Sequence, residues 1–292
     1  PDEGNHGEDV KEYYFYLDST PTHSYLKWNY KYPQCAYPYQ RLIDENRRRG
    51  PTDPEFELLD TGAFHKDRYF DVFVEYAKAG PEDICIRIEA FNRGPDAAPL
   101  RILPHLWFRN RWSWGDEEYP EPRIQLGSPS DTHLTLLADD SCCPNIGRLH
   151  FDYRLGAYQL YAQPGGRPLF TNNETNAERL FGPPAKNRNP FVKDAFHRHL
   201  IHGEDCVNPQ QFGTKACVDY RFEVAPGKSA VVELRLTNRK LSQPLAEVGT
   251  VLQSRRAEAD EFYASIQPQT ATADERRIQR QALAGLLWSK QI

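Results

Sequence analysis

Tyr69-Phe70-Asp71-Val72-Phe73-Val74-Glu75-Tyr76 and, shortly after it, Ile84-Cys85-Ile86-Arg87-Ile88-Glu89-Ala90 decide the fold class. In the first stretch Phe70, Val72, Val74 and Tyr76 share one side of an extended chain. Tyr69, Asp71, Phe73 and Glu75 take the other, because successive strand side chains point to opposite faces. The second stretch repeats the pattern with Ile84, Ile86, Ile88 and Ala90, and halts at the turn-forming cluster Asn92-Arg93-Gly94-Pro95. Further on, Val218, Tyr220, Phe222 and Val224 lead into Pro226-Gly227-Lys228, and Val232, Leu234 and Leu236 lead out, a pattern that predicts a β-hairpin. Period-two segments joined by short turns, without helices between them, imply antiparallel strands. Residues 55–240 are therefore expected to form an antiparallel two-sheet β-sandwich, making the chain mainly β.

Outside that region the period changes. Residues 241–292 read as helices: Val248, Val251, Leu252, Ala259, Phe262 and Ile266 form a helical apolar stripe, interrupted by Gln267-Pro268. A second helix is expected from about Thr272 or Asp274, with Ile278, Ala282, Leu286, Leu287 and Trp288 on or near a stripe that seeks burial. It reaches Ile292 without a stop signal and is expected to continue in a longer chain. Pro1 is likewise expected to be an internal position, since the sequence contains no methionine. Residues 1–54 read as an aromatic-rich, irregular segment joined to the sandwich, with a short helix near Leu42 to Arg49 before Gly50-Pro51.

The composition narrows the function classes. Lys plus Arg number 36 against 41 Asp plus Glu, and no long basic run is present, so there is no electrostatic footprint for nucleic acid. No apolar run approaches the ~18 residues of a membrane span. Mean hydropathy is −0.74, yet aromatics make up 12% of the chain, which disordered segments do not sustain. Six cysteines without a C-x-x-C pair read as free thiols, and a cytoplasmic setting is expected. The asparagine of Asn173-Glu174-Thr175 would then stay unmodified. The fingerprints G-x-G-x-x-G, Walker A, G-x-S-x-G and H-E-x-x-H are all missing, so no cofactor is expected.

Ten of the 36 aromatic residues fall within residues 1–40, about twice an even spread. They alternate with carboxylates, amides and histidines. Rings that stack on sugar faces beside groups that bond hydroxyls are the composition of a carbohydrate cleft, and a tyrosine-rich packing segment is the plainer alternative. His197, His199 and His202 with Asp194 and Glu204 could suggest a metal cluster, but on a strand His202 would face away from the other two, so ordinary strand histidines are expected and no metal. Cys142-Cys143 reads as a buried turn.

Several long strings resemble glycoside hydrolase family 63, in its cytosolic bacterial and fungal branch related to the mannosyl-oligosaccharide glucosidases. They begin with Gly4-Asn5-His6-Gly7-Glu8-Asp9-Val10-Lys11-Glu12-Tyr13-Tyr14-Phe15-Tyr16-Leu17-Asp18 and Thr20-Pro21-Thr22-His23-Ser24-Tyr25. They continue through Glu57-Leu58-Leu59-Asp60-Thr61-Gly62, Asp67-Arg68-Tyr69-Phe70-Asp71-Val72, Leu106-Trp107-Phe108-Arg109-Asn110 and Asn173-Glu174-Thr175-Asn176. Val192-Lys193-Asp194-Ala195-Phe196-His197, Gln281-Ala282-Leu283-Ala284-Gly285 and Trp288-Ser289-Lys290-Gln291 complete the set, which spans essentially the whole chain.

The resemblance implies a supersandwich of the galactose-mutarotase-like type, followed in family members by an (α/α)₆ barrel that inverts α-glucosidic bonds using two carboxylates. Both carboxylates belong to the barrel, so no catalytic residue is carried onto this chain. The substrate would be an oligosaccharide or small glucoside, and the barrel the partner domain. The candidate substrate-binding residues are Asn5, His6, Glu8, Asp9, Tyr13, Tyr16, Asp18, His23 and Tyr25. A non-catalytic carbohydrate-binding module is one alternative. A mutarotase-like enzyme using His105 and Glu75 as acid and base is another.

Overall fold

The computed structural model describes residues 12–113, 120–144, 151 and 154–289. In chain order the strands are β1 (Tyr14–Ser19), β2 (Tyr25–Pro33), β3 (Tyr69–Gly80), β4 (Asp83–Asn92), β5 (Ala98–Ile102), β6 (His105–Trp107) and β7 (Arg123–Leu126). They continue with β8 (Leu134–Asp139), β9 (Ala157–Ala162), β10 (Arg167–Thr171), β11 (Phe212–Gly213), β12 (Lys215–Val224) and β13 (Ser229–Thr237). The α-helices are α1 (Tyr39–Arg48), α2 (Ala177–Phe181), α3 (Ala195–His202), α4 (Val248–Ile266) and α5 (Ala273–Trp288).

The strands form an antiparallel β-sandwich. A nine-stranded sheet runs β1-β2-β3-β4-β13-β9-β8-β7-β11, and a smaller sheet holds β10-β12-β5 with β6 also paired to β12. The core lies where the alternating apolar residues of the two sheets meet. Phe70, Ala90, Leu136, Leu160, Val232 and Leu234 come from the large sheet, and Leu100, Ile102, Phe170, Val218 and Tyr220 from the small one. Each such aliphatic or aromatic side chain contributes about 1.5–3 kcal/mol through burial.

Three local readings differ from the sequence pattern. The turn at Pro226-Gly227-Lys228 does not close a hairpin: β12 belongs to the small sheet and β13 to the large one. Their apolar faces oppose each other across the core instead of lying side by side. The turn's backbone is pinned to the end of β4, with Gly227 N donating to Asn92 O at 3.0 Å and Asn92 N to Lys228 O at 2.9 Å. The aromatic segment expected to be irregular supplies β1 and β2, in register with β3 through pairs such as Trp28 with Val74. The histidines of 197–202 sit on helix α3, not on a strand.

The two long helices cover the large sheet. Val248, Leu252 and Ala259 of α4 pack on Tyr25, Ala77 and Cys85, the outer face of β2, β3 and β4. Helix α5 opens with a capping box in which Thr272 and Glu275 exchange hydrogen bonds. It lies over β1, where Trp288 stacks on Tyr16 at 5.1 Å between ring centroids and meets the Tyr76 ring edge-on. By register, Tyr16 shares its face with Val74 and Ile88, the face that the small sheet covers farther along.

Trp288 thus docks on the sandwich, as its apolar character demands, and Leu287 beside it is half-buried, but the other residues of the stripe face solvent. Ile278 and Leu286 are 60% and 69% exposed, and Ala282 is exposed with them. Arg280 and Ala284 face inward in their place, because Asp18 on β1 captures the Arg280 guanidinium. Trp288→Ala should lower stability by about 2 kcal/mol, less than the loss of a fully buried indole. Hydrogen exchange should then quicken through residues 273–288, and unchanged protection there would show that the ring does not hold the helix.

Candidate functional site

Asn5, His6, Glu8 and Asp9 lie outside the described residues. The other residues anticipated from the aromatic opening are dispersed among separate contacts. Tyr13 stacks on Phe64 at 5.7 Å, and Tyr16 lies under Trp288. Asp18 is buried and accepts a hydrogen bond from Arg280, whose other nitrogen reaches Asp260 Oδ1 at 2.7 Å. Burial raises the Asp18 pKa despite that partner. His23 stands exposed in a turn with φ of 52°, and Tyr25 is buried with its hydroxyl donating to Glu75.

Glu75 anchors the underside of α4. Arg256 Nη2 lies 2.7 Å from Glu75 Oε1, and Lys27 Nζ lies at 3.6 Å. Burial alone would raise its pKa, but the Tyr25 hydroxyl, Lys27 and Arg256 together hold it below the usual glutamate value. An acid depressed in the folded state is protonated more readily in the unfolded chain, so stability is full above about pH 5 and falls as pH drops through the folded pKa. Glu75→Gln should flatten this acid limb in denaturation curves measured between about pH 3 and pH 6. An unaltered limb would assign the acid sensitivity to other carboxylates.

His105 and Glu75 do not form an acid–base pair. Glu75 lies under α4 on the outer face of the large sheet, whereas His105 meets the Phe196 ring of α3 at 5.5 Å, on the outer face of the small sheet. The core separates them. On α3, His197 and His202 rings lie 6.2 Å apart, and His199 Nδ1 sits 2.8 Å from Glu204 O. Among the described residues no group of three His, Cys, Asp or Glu side chains converges as a metal site.

A more coherent polar cluster forms where β10 ends. Thr171 Oγ1 donates to Val192 O at 2.8 Å, and Asn172 N to Phe191 O at 3.0 Å, so the chain leaving β10 is tied to residues 191–193. Asn173 Nδ2 donates to Phe108 O at 2.9 Å. Lys193 N donates to Glu174 O at 2.9 Å, and Asn176 Nδ2 to Asp194 Oδ2 at 3.1 Å. The strings 106–110, 173–176 and 192–197, far apart in sequence, therefore meet at one corner.

Two further carboxylates share this corner with Asp194. Glu174 is buried and accepts a hydrogen bond from Trp112 Nε1 at 2.8 Å. Glu121 is half-buried, with Arg188 Nη2 at 3.4 Å, while Arg188 Nη1 donates to Trp112 O at 3.3 Å. Burial raises the Glu121 pKa, and the Glu174 charge adds to the effect against the opposing pull of Arg188. Cys142 and Cys143 lie just behind, their thiols donating to Glu121 O and Pro120 O. Cys142 is exposed, so this pair is not the wholly buried turn expected. Carboxylates and amide side chains gathered at one polar corner are groups of the kind that bond hydroxyls, although Trp112 and Glu174 are buried against each other. Sequence reading singled out neither Glu121 nor Arg188 nor Trp112. Only the strings Leu106–Asn110, Asn173–Asn176 and Val192–His197 pointed to their neighbourhood.

The class this structure defines is a two-sheet antiparallel β-sandwich with helices packed on its larger sheet. No protein-family model matches the chain. It is 37% identical over 330 aligned positions to the uncharacterized protein YMR196W of Saccharomyces cerevisiae, an alignment that takes in 99% of this chain and 29% of that protein. The chain thus spans less than a third of the length of this relative. Among solved structures it is similar to a "Putative kojibiose phosphorylase from human microbiome", with 10% identity and a TM-score of 0.29 over 74% of this chain and 21% of the other. No helix among the described residues is long and apolar enough to cross a membrane.

Proposed function

We propose that this chain is the N-terminal β-sandwich portion of an inverting α-glucosidase-type glycoside hydrolase of the family 63 kind, supporting a catalytic (α/α)₆ barrel and lending polar groups to its substrate site. The observation that carries the reading is the meeting of three family-like strings around Glu174, Trp112 and Glu121. Of these side chains only Glu174 belongs to a string; Trp112, Glu121 and Arg188 come to it from outside, so the corner collects polar groups from five separate segments. The length of the yeast relative supports the reading, since it leaves ample chain for a further domain. The acid and the base of the reaction would come from that domain, and this corner would position hydroxyls of the bound sugar.

The test is made on the full-length protein encoded with this chain. Glu174→Gln and Trp112→Phe should lower kcat/KM on α-glucosides about tenfold, equivalent to about 1.4 kcal/mol of lost transition-state stabilisation. A lowered melting temperature with unchanged kinetics would leave the corner a purely structural role, and no hydrolysis of any α-glucoside would sink the reading itself.

A binding module without catalysis is favoured by one separate observation, the exposure of Tyr14, Phe15 and Tyr32 on the first two strands. Calorimetric titration of the isolated chain with glucose disaccharides decides it: saturable heat lost in Tyr32→Ala supports a module, and absence of heat removes it.

A further inference from the structure

The outer face of the small sheet holds a cleft of about 670 Å³ that lies apart from the Glu174 side chain, although Tyr32 on its rim is also the tyrosine of the binding-module reading. One wall is α3, presenting Phe196, Leu200 and Ile201, and the floor includes Leu103 and the side chains of Arg101 and Arg221. Tyr32 and Ile201 stand on its rim, 45% and 63% exposed. The volume falls within the range of small-ligand sites, and the lining follows their usual plan of apolar walls with a few polar groups.

The charges are arranged unusually. Arg101 on β5 and Arg221 on β12 lie directly opposite each other in the ladder, a like-charged pairing that is unfavourable on its own. Both lean on one carboxylate: Asp219 Oδ2 is 3.5 Å from Arg101 Nη1 and 3.1 Å from Arg221 Nε. The Asp219 side chain is fully buried, and its Oδ1 has no hydrogen-bond partner among the described residues. One acid therefore serves two guanidiniums, which are themselves 38% and 58% exposed. Arg167 faces Asp219 across β10 and adds further positive charge, while Glu223, the next outward residue of β12, pairs with neither arginine. His105 also lines the cleft, exposed to solvent, and offers a further donor or acceptor.

We propose that this cleft binds a small amphipathic carboxylate. The carboxylate lies across the Arg101 and Arg221 guanidiniums, and the aliphatic or aromatic tail lies along Phe196, Leu200 and Ile201. Planar guanidinium groups match a carboxylate in two-point contact, and the apolar wall rewards a tail that a free sugar lacks. The site borders the proposed glycosidase corner through helix α3 but uses none of its carboxylates, and its ligand class differs from that substrate.

The probe is 4-phenylbutyrate, titrated calorimetrically into the 292-residue chain beside its neutral analogue 4-phenylbutyramide. Saturable binding of the acid with the amide at least about tenfold weaker is expected, a difference of about 1.4 kcal/mol. Arg221→Gln should weaken the acid to the level of the amide, and Ile201→Glu should abolish binding of both. Each substituted side chain is well exposed, so both variants should retain the wild-type circular dichroism spectrum. Three results would overturn the proposal: no saturable binding up to about 10 mM, equal affinity for acid and amide, or binding that survives both substitutions in folded protein.

Discussion

Arg235→Met is expected to destabilise this sandwich by about 3–5 kcal/mol, the cost of stranding a buried carboxylate. Arg235 lies near the middle of β13, between β4 and β9, and only 4% of its side chain is exposed. Its Nε and Nη2 donate to the two oxygens of Asp83, each at 2.7 Å. Nη1 reaches Pro244 O at 3.1 Å and Glu247 Oε2 at 3.3 Å, so the same side chain also sets where α4 begins. With the arginine gone, the Asp83 carboxylate would remain buried without its guanidinium partner. Adding Asp83→Leu should recover much of the loss, since an apolar pair replaces the buried ions. Urea midpoints of the single and double variants check this. Destabilisation as large in the double variant as in the single one would mean that packing, and not the abandoned charge, sets the cost.

Gly213→Ala is the second large effect. A methyl at this position would lie 2.2 Å from Thr171 O and 2.8 Å from the carbon bearing it, contacts that backbone cannot relieve by rotating a side chain. The short β11 crosses closest to β10 here, while Gly213 pairs with Ile124 of β7. Overpacking of this kind costs about 3 kcal/mol. The displaced segment also begins the run Asn172-Asn173-Glu174, so the Trp112–Glu174 hydrogen bond should be strained with it. Trp112 fluorescence and a melting curve, measured together, test both parts. Gly227→Ala supplies the contrast: φ is +66° there, but no atom lies within 4 Å of the added carbon, so the cost should stay near about 1 kcal/mol. If Gly213→Ala melts like Gly227→Ala, the close approach of the two strands is not a constraint.

The strands of this fold were legible wherever one face is apolar, and least legible where both faces are covered. Phe70 and Val74 reach the core as alternation requires. Asp71 and Glu75, which the same alternation turns outward, are nonetheless buried, Asp71 between Lys31 and Arg93 and Glu75 under Arg256. No local pattern announces the cations or the helix that cover them. The turn at Gly227 was legible as a turn, but its partners were not, since the same turn can join neighbours in one sheet or strands of facing sheets. Helix α5 was legible as a helix and Trp288 as its docking residue, whereas the inward turn of Arg280 was not, because the acid that captures it lies on β1, far away in sequence. At the candidate corner, Glu174 and Asn173 lay within family-like strings, whereas Glu121 and Arg188 acquire meaning only through contacts made in space.

The docking of α5 on β1 has a kinetic consequence. Arg280 meets Asp18 across 262 residues of chain, Trp288 reaches the Asp18 carbonyl across 270, and Tyr263 reaches Ser19 across 244. Closing loops of that length carries the greatest chain-entropy cost in the molecule, so these contacts are the last to be repaid during folding, after β3 and β4 have paired through their short turn. Interactions absent from the transition state act on the rate of unfolding and leave the rate of folding nearly unchanged. The α5 seam is thus a latch on a finished sandwich: it governs how long the native state persists once formed, not how quickly it is reached.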